Sequence, residues 1–172
     1  MKSRPRLSGS MALGVFLMLT TSAWAEDFKI AYVDMGKLFD NYERTKTSEA
    51  VLEKKGKQKE SELEGRVNEL KKLRENLELL NDRARQAKTR EIEAKADELK
   101  RFRANTARDL RSERDDIAQQ ILQEIRTVVT DYGKANGFSM ILDERTMLYG
   151  QPSYDATDEV LTLLNSRHKG NP

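Results

Sequence analysis

The residue types that usually carry chemistry are scarce in these 172 residues. There is no Cys, which excludes thiol nucleophiles, disulfides and thiolate metal centres. The single His, His168, stands between Arg167 and Lys169 in a polar tail, with no second imidazole to share a metal. Carboxylate pairs such as Asp115-Asp116 and Asp143-Glu144 are common in a chain that is 35% charged, and nothing singles one out as an acid/base couple. The run from Gly133 to Gly137 lacks Walker spacing and a preceding strand, so it reads as the end of a helix and not as a phosphate cradle. Neither enzyme activity nor a cofactor or metal is expected. What remains is electrostatic. Between residues 71 and 111 there are 13 Lys and Arg against 8 Asp and Glu, net +5. Arg83, Arg85, Lys88 and Arg90 form one group, and Lys100, Arg101, Arg103, Arg108 and Arg111 a second. Such an excess draws in chains of net negative charge and anionic lipid head groups. The competing reading is a solvated helix face whose cations pair locally with Glu93, Asp97 and Glu98. Nucleic-acid readers interleave aromatics with basic residues, and Phe102 is the only aromatic in this stretch, so no nucleic-acid partner is expected.

A leader precedes the elements that would hold these residues. Lys2, Arg4 and Arg6 open the chain, Met11 to Leu19 is an apolar run, and Ala23-Trp24-Ala25 is a small-x-small site. This is the layout of a secretory signal peptide over residues 1–25, and it predicts cleavage after Ala25 and a soluble mature chain Glu26–Pro172. The apolar run is far short of the ~20 residues that span a bilayer. Without the leader, 28 positives face 29 negatives, so the pI near 8.7 describes the precursor. Export also removes the chain from the genome.

The rest reads as a base, a long excursion and a return to the base. Residues 28–35 are short, apolar and β-branched, as in a strand, and residues 138–143 form a second such run. Met147-Leu148-Tyr149 reads as a third strand, and residues 155–165 as a closing helix. Residues 167–172 read as a disordered tail. From residue 37 to 136 there is no Pro, and apolar residues recur at helical spacing. Leu52, Leu63, Val67, Leu70, Leu73, Leu77 and Leu80 make one stripe. Leu99, Phe102, Leu110, Ile117, Ile121, Ile125, Val128 and Tyr132 make another. The stripe nearly vanishes over 81–98, where Ile92 is the only large apolar residue. One continuous helix over this span would be about 150 Å long. An antiparallel hairpin with its turn near 81–89 is preferred, because it returns both flanking strands to one place. The thin seam then predicts mobile tips and a stiff root.

The base, residues 26–36 and 137–166, holds about 40 residues, below the size at which a core usually sustains itself without disulfides, metal or oligomerisation. Ile30, Tyr32, Val33, Met140, Ile141 and Leu142 would therefore be shared between copies. The alternative is that the arms fold back and complete the core of a monomer. The fold class expected is mostly α with a small β base: a long, coiled-coil-like helical hairpin projecting from an oligomerisation body.

The two ends of the chain carry a resemblance. Residues 29–39 (KIAYVDMGKLF), Ile125 to Tyr132 followed by Phe138 to Asp143, and residues 155–161 (DATDEVL) resemble the Skp/OmpH-like family of periplasmic chaperones. The arms resemble that family in pattern alone. The resemblance implies a homotrimer, with three base segments in a barrel-like body and three helical hairpins around a cavity. It also implies an ATP-independent holdase that keeps unfolded outer-membrane proteins soluble and passes them toward the outer membrane. Lipopolysaccharide binding belongs to the same family picture, with no residue set here to carry it. A structural coiled-coil spacer of the envelope would share the composition.

Overall fold

The computed structural model describes residues 28–170, so the leader and the cleavage expected after Ala25 lie outside the described residues. The order is β1 (Ile30–Val33), α1 (Met35–Asn41), α2 (Glu43–Leu77), α3 (Asp82–Ala135), β2 (Met140–Asp143) and α4 (Thr157–Gly170), with single 3-10 turns at Glu144–Thr146 and Pro152–Tyr154. The molecule is mostly helical, with one two-stranded sheet.

The strands are shorter than their apolar runs. β1 ends because the Asp34 carboxylate accepts the Lys37 N–H at 2.9 Å, which starts α1 and draws Met35 into a helix. β1 and β2 pair in parallel, with Ile30 opposite Met140 and Val33 opposite Asp143. Parallel pairing requires a long crossover, and the helical excursion supplies it. Residues 147–149 are not a strand, contrary to expectation. The Asp143 carboxylate accepts the Arg145 N–H at 3.1 Å and turns the chain off the sheet, leaving Leu148 and Tyr149 exposed. The other side of β1 is met by Asp155, in an isolated parallel bridge with Tyr32.

The excursion begins as two helices, not one. Tyr42 is extended (φ −66°, ψ 128°) and separates α1 from α2. Its side chain cannot cap α2, so Asn165 of α4 does so, accepting the Glu43 N–H at 2.9 Å. The turn expected over 81–89 lies at residues 78–81 instead. Asn81 is the N-cap of α3, with its side chain accepting the Ala84 N–H at 3.0 Å, so residues 82–89 are already helix. The two long helices are therefore unequal, 35 and 54 residues. They run antiparallel, as the cross-pairs Arg44–Glu124, Arg66–Glu98 and Glu69–Lys95 require. α3 ends at Gly137 (φ +67°), where the Phe138 N–H reaches back to the Gly133 carbonyl at 2.9 Å. Gly133, also expected to end the helix, lies inside it. There it lets α3 approach the sheet, since a Cβ would stand 3.1 Å from Ile141 Cδ1.

Within one chain the base is completed by the arm, the alternative that the sequence left open. Ala31 and Val33 of β1, Leu38 and Tyr42, Ile121, Ile125 and Val128 of the α3 root, and Ala156, Val160 and Leu164 form one buried cluster. The α3 root supplies the large side chains that the base lacks. Of the residues expected to be shared between copies, Tyr32 and Val33 are buried within the chain, and Ile141 and Leu142 are half-buried. Ile30 and the cross-strand Met140 are exposed, as are Phe28, Leu148, Tyr149 and Tyr154.

Of the tail expected to be disordered over 167–172, residues 167–170 are the last turn of α4, and 171–172 lie outside the described residues. Arg167 pairs with Asp131 at 2.7 Å, Lys169 with Glu43 at 3.5 Å, and the His168 ring meets the edge of buried Tyr42 at 5.7 Å. Cations in the last helical turn also offset its dipole.

Candidate functional site

The distal half of the α2–α3 pair has two unlike flanks. Every third or fourth residue of each helix faces the other. On α2 this set includes Leu63, Arg66, Leu70 and Leu73; on α3 it includes Ile92, Lys95, Leu99 and Phe102. Leu70 and Ile92 are buried, so the seam persists where the sequence looked thin.

One flank is zipped. Arg66 bridges Glu62 at 2.9 Å and Glu98 at 3.0 Å, and Lys95 reaches Glu69 at 2.7 Å. Phe102 lies beneath the Arg66 guanidinium at 4.3 Å and the Lys59 ammonium at 5.4 Å. Hydrogen bonds from Arg66 and Lys59 hold the Glu62 carboxyl below the usual range, and Lys95 does the same to Glu69. Arg66 and Lys95 are raised in turn by their carboxylate partners.

The other flank is open. Leu63, Val67 and Leu70 of α2 and Ala96, Leu99, Ala104 and Ala107 of α3 line a groove of about 950 Å³. Val67, placed in the seam stripe by its spacing, stands on this flank at 46% exposure. The rim is cationic throughout: Lys71 and Arg74 from α2, Lys100 and Arg103 from α3. Among the described residues, none of these four is within ion-pair distance of a carboxylate. An apolar floor with unneutralised cations can hold chains that combine apolar side chains with carboxylates. Among the described residues no cluster of His, Asp and Glu could hold a metal, and no helix is long and apolar enough to cross a membrane.

The basic residues singled out in the sequence are dispersed by the structure. Lys100 and Arg103 reach the groove rim. The Arg85 guanidinium donates to the Glu78 carbonyl at 3.4 Å and braces the turn, and Lys88 pairs with Glu91 at 2.7 Å. Arg83, Arg90, Arg101, Arg108 and Arg111 are exposed and lie outside the groove lining. Of the carboxylates expected to absorb the charge locally, Glu98 is engaged across the helix pair by Arg66, not by a neighbour on α3. Lys71, Arg74 and the alanines were missed. The signal was small: Ala96, Leu99, Ala104 and Ala107 fall on one helix face, but alanine carries little weight in an apolar stripe.

At the arm root, Tyr42 is fully buried, and among the described residues its hydroxyl has no hydrogen-bond partner. Burial, reinforced by the nearby Glu124 carboxylate, pushes its pKa up to about 12. Glu124 is itself engaged by Arg44 at 2.6 Å. The Thr45 hydroxyl is buried and unpartnered as well.

Known proteins resemble this chain in sequence and fold. A curated relative, the chaperone protein Skp of Yersinia enterocolitica, is 26% identical over 154 residues, covering 87% of this chain and 94% of its own. The crystal structure of a candidate OmpH-like outer membrane chaperone from Caulobacter crescentus superposes with a TM-score of 0.74 at 20% identity, over 80% of this chain and 84% of that one, and so shares the fold. The family model described as outer membrane protein (OmpH-like) matches residues 29–164. Together with the helix pair rooted on a small parallel sheet, that match decides the assignment: the chain belongs to the OmpH-like family, whose members are chaperones and not enzymes.

Proposed function

We propose that the protein is an ATP-independent periplasmic holdase. It keeps unfolded outer-membrane proteins soluble between its helical arms and aids their delivery to the outer membrane. The observation that carries this reading is the open flank, an apolar groove whose rim cations have no carboxylate partners. A spacer would gain stability by zipping both flanks, yet only one is zipped. Weak apolar contacts retain a chain without folding it, and long-range attraction raises the rate of capture without fixing a sequence.

The working unit we infer is a homotrimer. Ile30 and Met140, opposite each other across the sheet, are exposed, as are Phe28, Leu148, Tyr149 and Tyr154 in the segments beside the strands, and exposed large apolar side chains of this kind support a contact between copies. Three bases in contact would form the body, with three arms around a cavity. The distal cations would also draw anionic lipid head groups, lipopolysaccharide among them. The test is to dilute a urea-unfolded β-barrel membrane protein into buffer with and without the chain Glu26–Pro172. Stoichiometric suppression of light scattering is expected without nucleotide. Aggregation at the uninhibited rate would leave the spacer reading.

A further inference from the structure

The groove offers more than a generic sticky surface, because its cations are placed in order along it. The pairs Arg66–Glu98 and Glu69–Lys95 fix the register of the two helices. In that register Lys71 and Arg74 lie toward the turn, and Lys100 and Arg103 lie nearer the root, on the opposite helix. The two ends of the rim, Arg74 and Arg103, are about 20 Å apart along the axis at ~1.5 Å per residue. Between them the floor is apolar, and no carboxylate lines it.

We infer that this flank selects extended client segments with an apolar centre bounded by carboxylates on both sides. The inference rests on the holdase reading and gives its substrate class. An extended chain advances ~3.3 Å per residue, so about six residues separate the two acidic ends that would meet the two cation pairs. Charge decides against a second arm as occupant. A copy of this flank would bring its own four cations against these four. Like charges facing one another in a closed contact are unfavourable. A client end bearing Asp or Glu neutralises them instead.

The test uses the chain Glu26–Pro172 and fluorescent synthetic peptides of equal length, read by anisotropy. One peptide has a Val/Leu centre with Asp at both ends, one has Lys in place of Asp, and one keeps Asp with a Ser/Thr centre. Exposed ion pairs are individually weak, so the four together set an expected difference of about tenfold in favour of the first peptide. Lys71→Glu with Arg74→Glu, or Lys100→Glu with Arg103→Glu, should abolish that preference or reverse it toward the Lys peptide. Val67→Asp should weaken all three. Lys46→Glu with Lys54→Glu, the same charge change at exposed positions outside the groove, should change the preference little. A series with the acids three, six, nine and thirteen residues apart should peak near six. Equal binding of the Asp and Lys peptides, insensitivity to the rim variants, or a peak near thirteen, the helical spacing, would each overturn the inference. So would rim variants that alter only the oligomeric state. Aggregation of a barrel protein, followed on the same samples, separates the two readings. Suppression without peptide selectivity removes this inference alone, and selectivity without suppression removes the holdase.

Discussion

Single atoms decide much at the base. A Cβ on Gly150 would lie 2.6 Å from Cε1 and 3.1 Å from Cδ1 and Cζ of Tyr32, a buried side chain. Gly150→Ala should therefore destabilise the fold by about 1–3 kcal/mol, the usual cost of overpacking, seen as a lower urea midpoint at unchanged slope. Tyr42 makes the opposite case. Its ring fills the core, but among the described residues its hydroxyl has no partner. Tyr42→Phe should raise stability by about 1 kcal/mol, because an unsatisfied buried group is removed, whereas Tyr42→Ala should cost about 3–5 kcal/mol. Alkali reports the same hydroxyl. Its folded pKa is raised from 10.0 to about 12, so its contribution is complete below the unfolded value and is lost as pH rises through that interval. In a pH series of urea melts, the steep alkaline loss seen in the parent should shrink in Tyr42→Phe.

The helices act as units, and two junctions set their geometry. α4 caps α2 through Asn165, so Asn165→Ala should cost about 1 kcal/mol and speed hydrogen exchange in the first turn of α2. The zipped flank should respond to acid. Glu62 and Glu69 are held below their ordinary value of 4.5 by their partners, so the support they give is present above that value and is lost as pH falls through the depressed folded values. Spin labels on the exposed faces of α2 and α3 near residues 69 and 95 should report a broader distance distribution in acid. Glu69→Gln should broaden it already at neutral pH. Exposed pairs of this kind are worth little singly, so the expected change is in distance distribution and not in global unfolding.

For the whole molecule, the exposed apolar side chains of the two strands bear on assembly. Ile30 and Met140 face away from the core built by α3 and α4. If they meet other copies, Ile30→Asp with Met140→Asp should lower the mass in native mass spectrometry to that of one chain and leave helical circular dichroism intact. A trimer that survives this change would place the interface elsewhere. Loss of client retention by the monomeric variant would show that the cavity, and not one groove, does the holding.

Periodicity and composition made the helical character, the two short strands and the return to a common base legible, because burial repeats along each element and the absence of Pro leaves long helices intact. Other features depend on residues distant in sequence. The break at Tyr42 follows from a cap supplied by Asn165 of α4, and the helical last turn of α4 from Asp131, Glu43 and Tyr42. The Lys and Arg surplus of the distal arms was fixed by the sequence, but which cations stay unpaired was not. Ion pairing depends on what the opposite helix presents at the same height, and only the register of α2 against α3 sets Arg66 beside Glu98 while leaving Lys71, Arg74, Lys100 and Arg103 to ring an apolar floor.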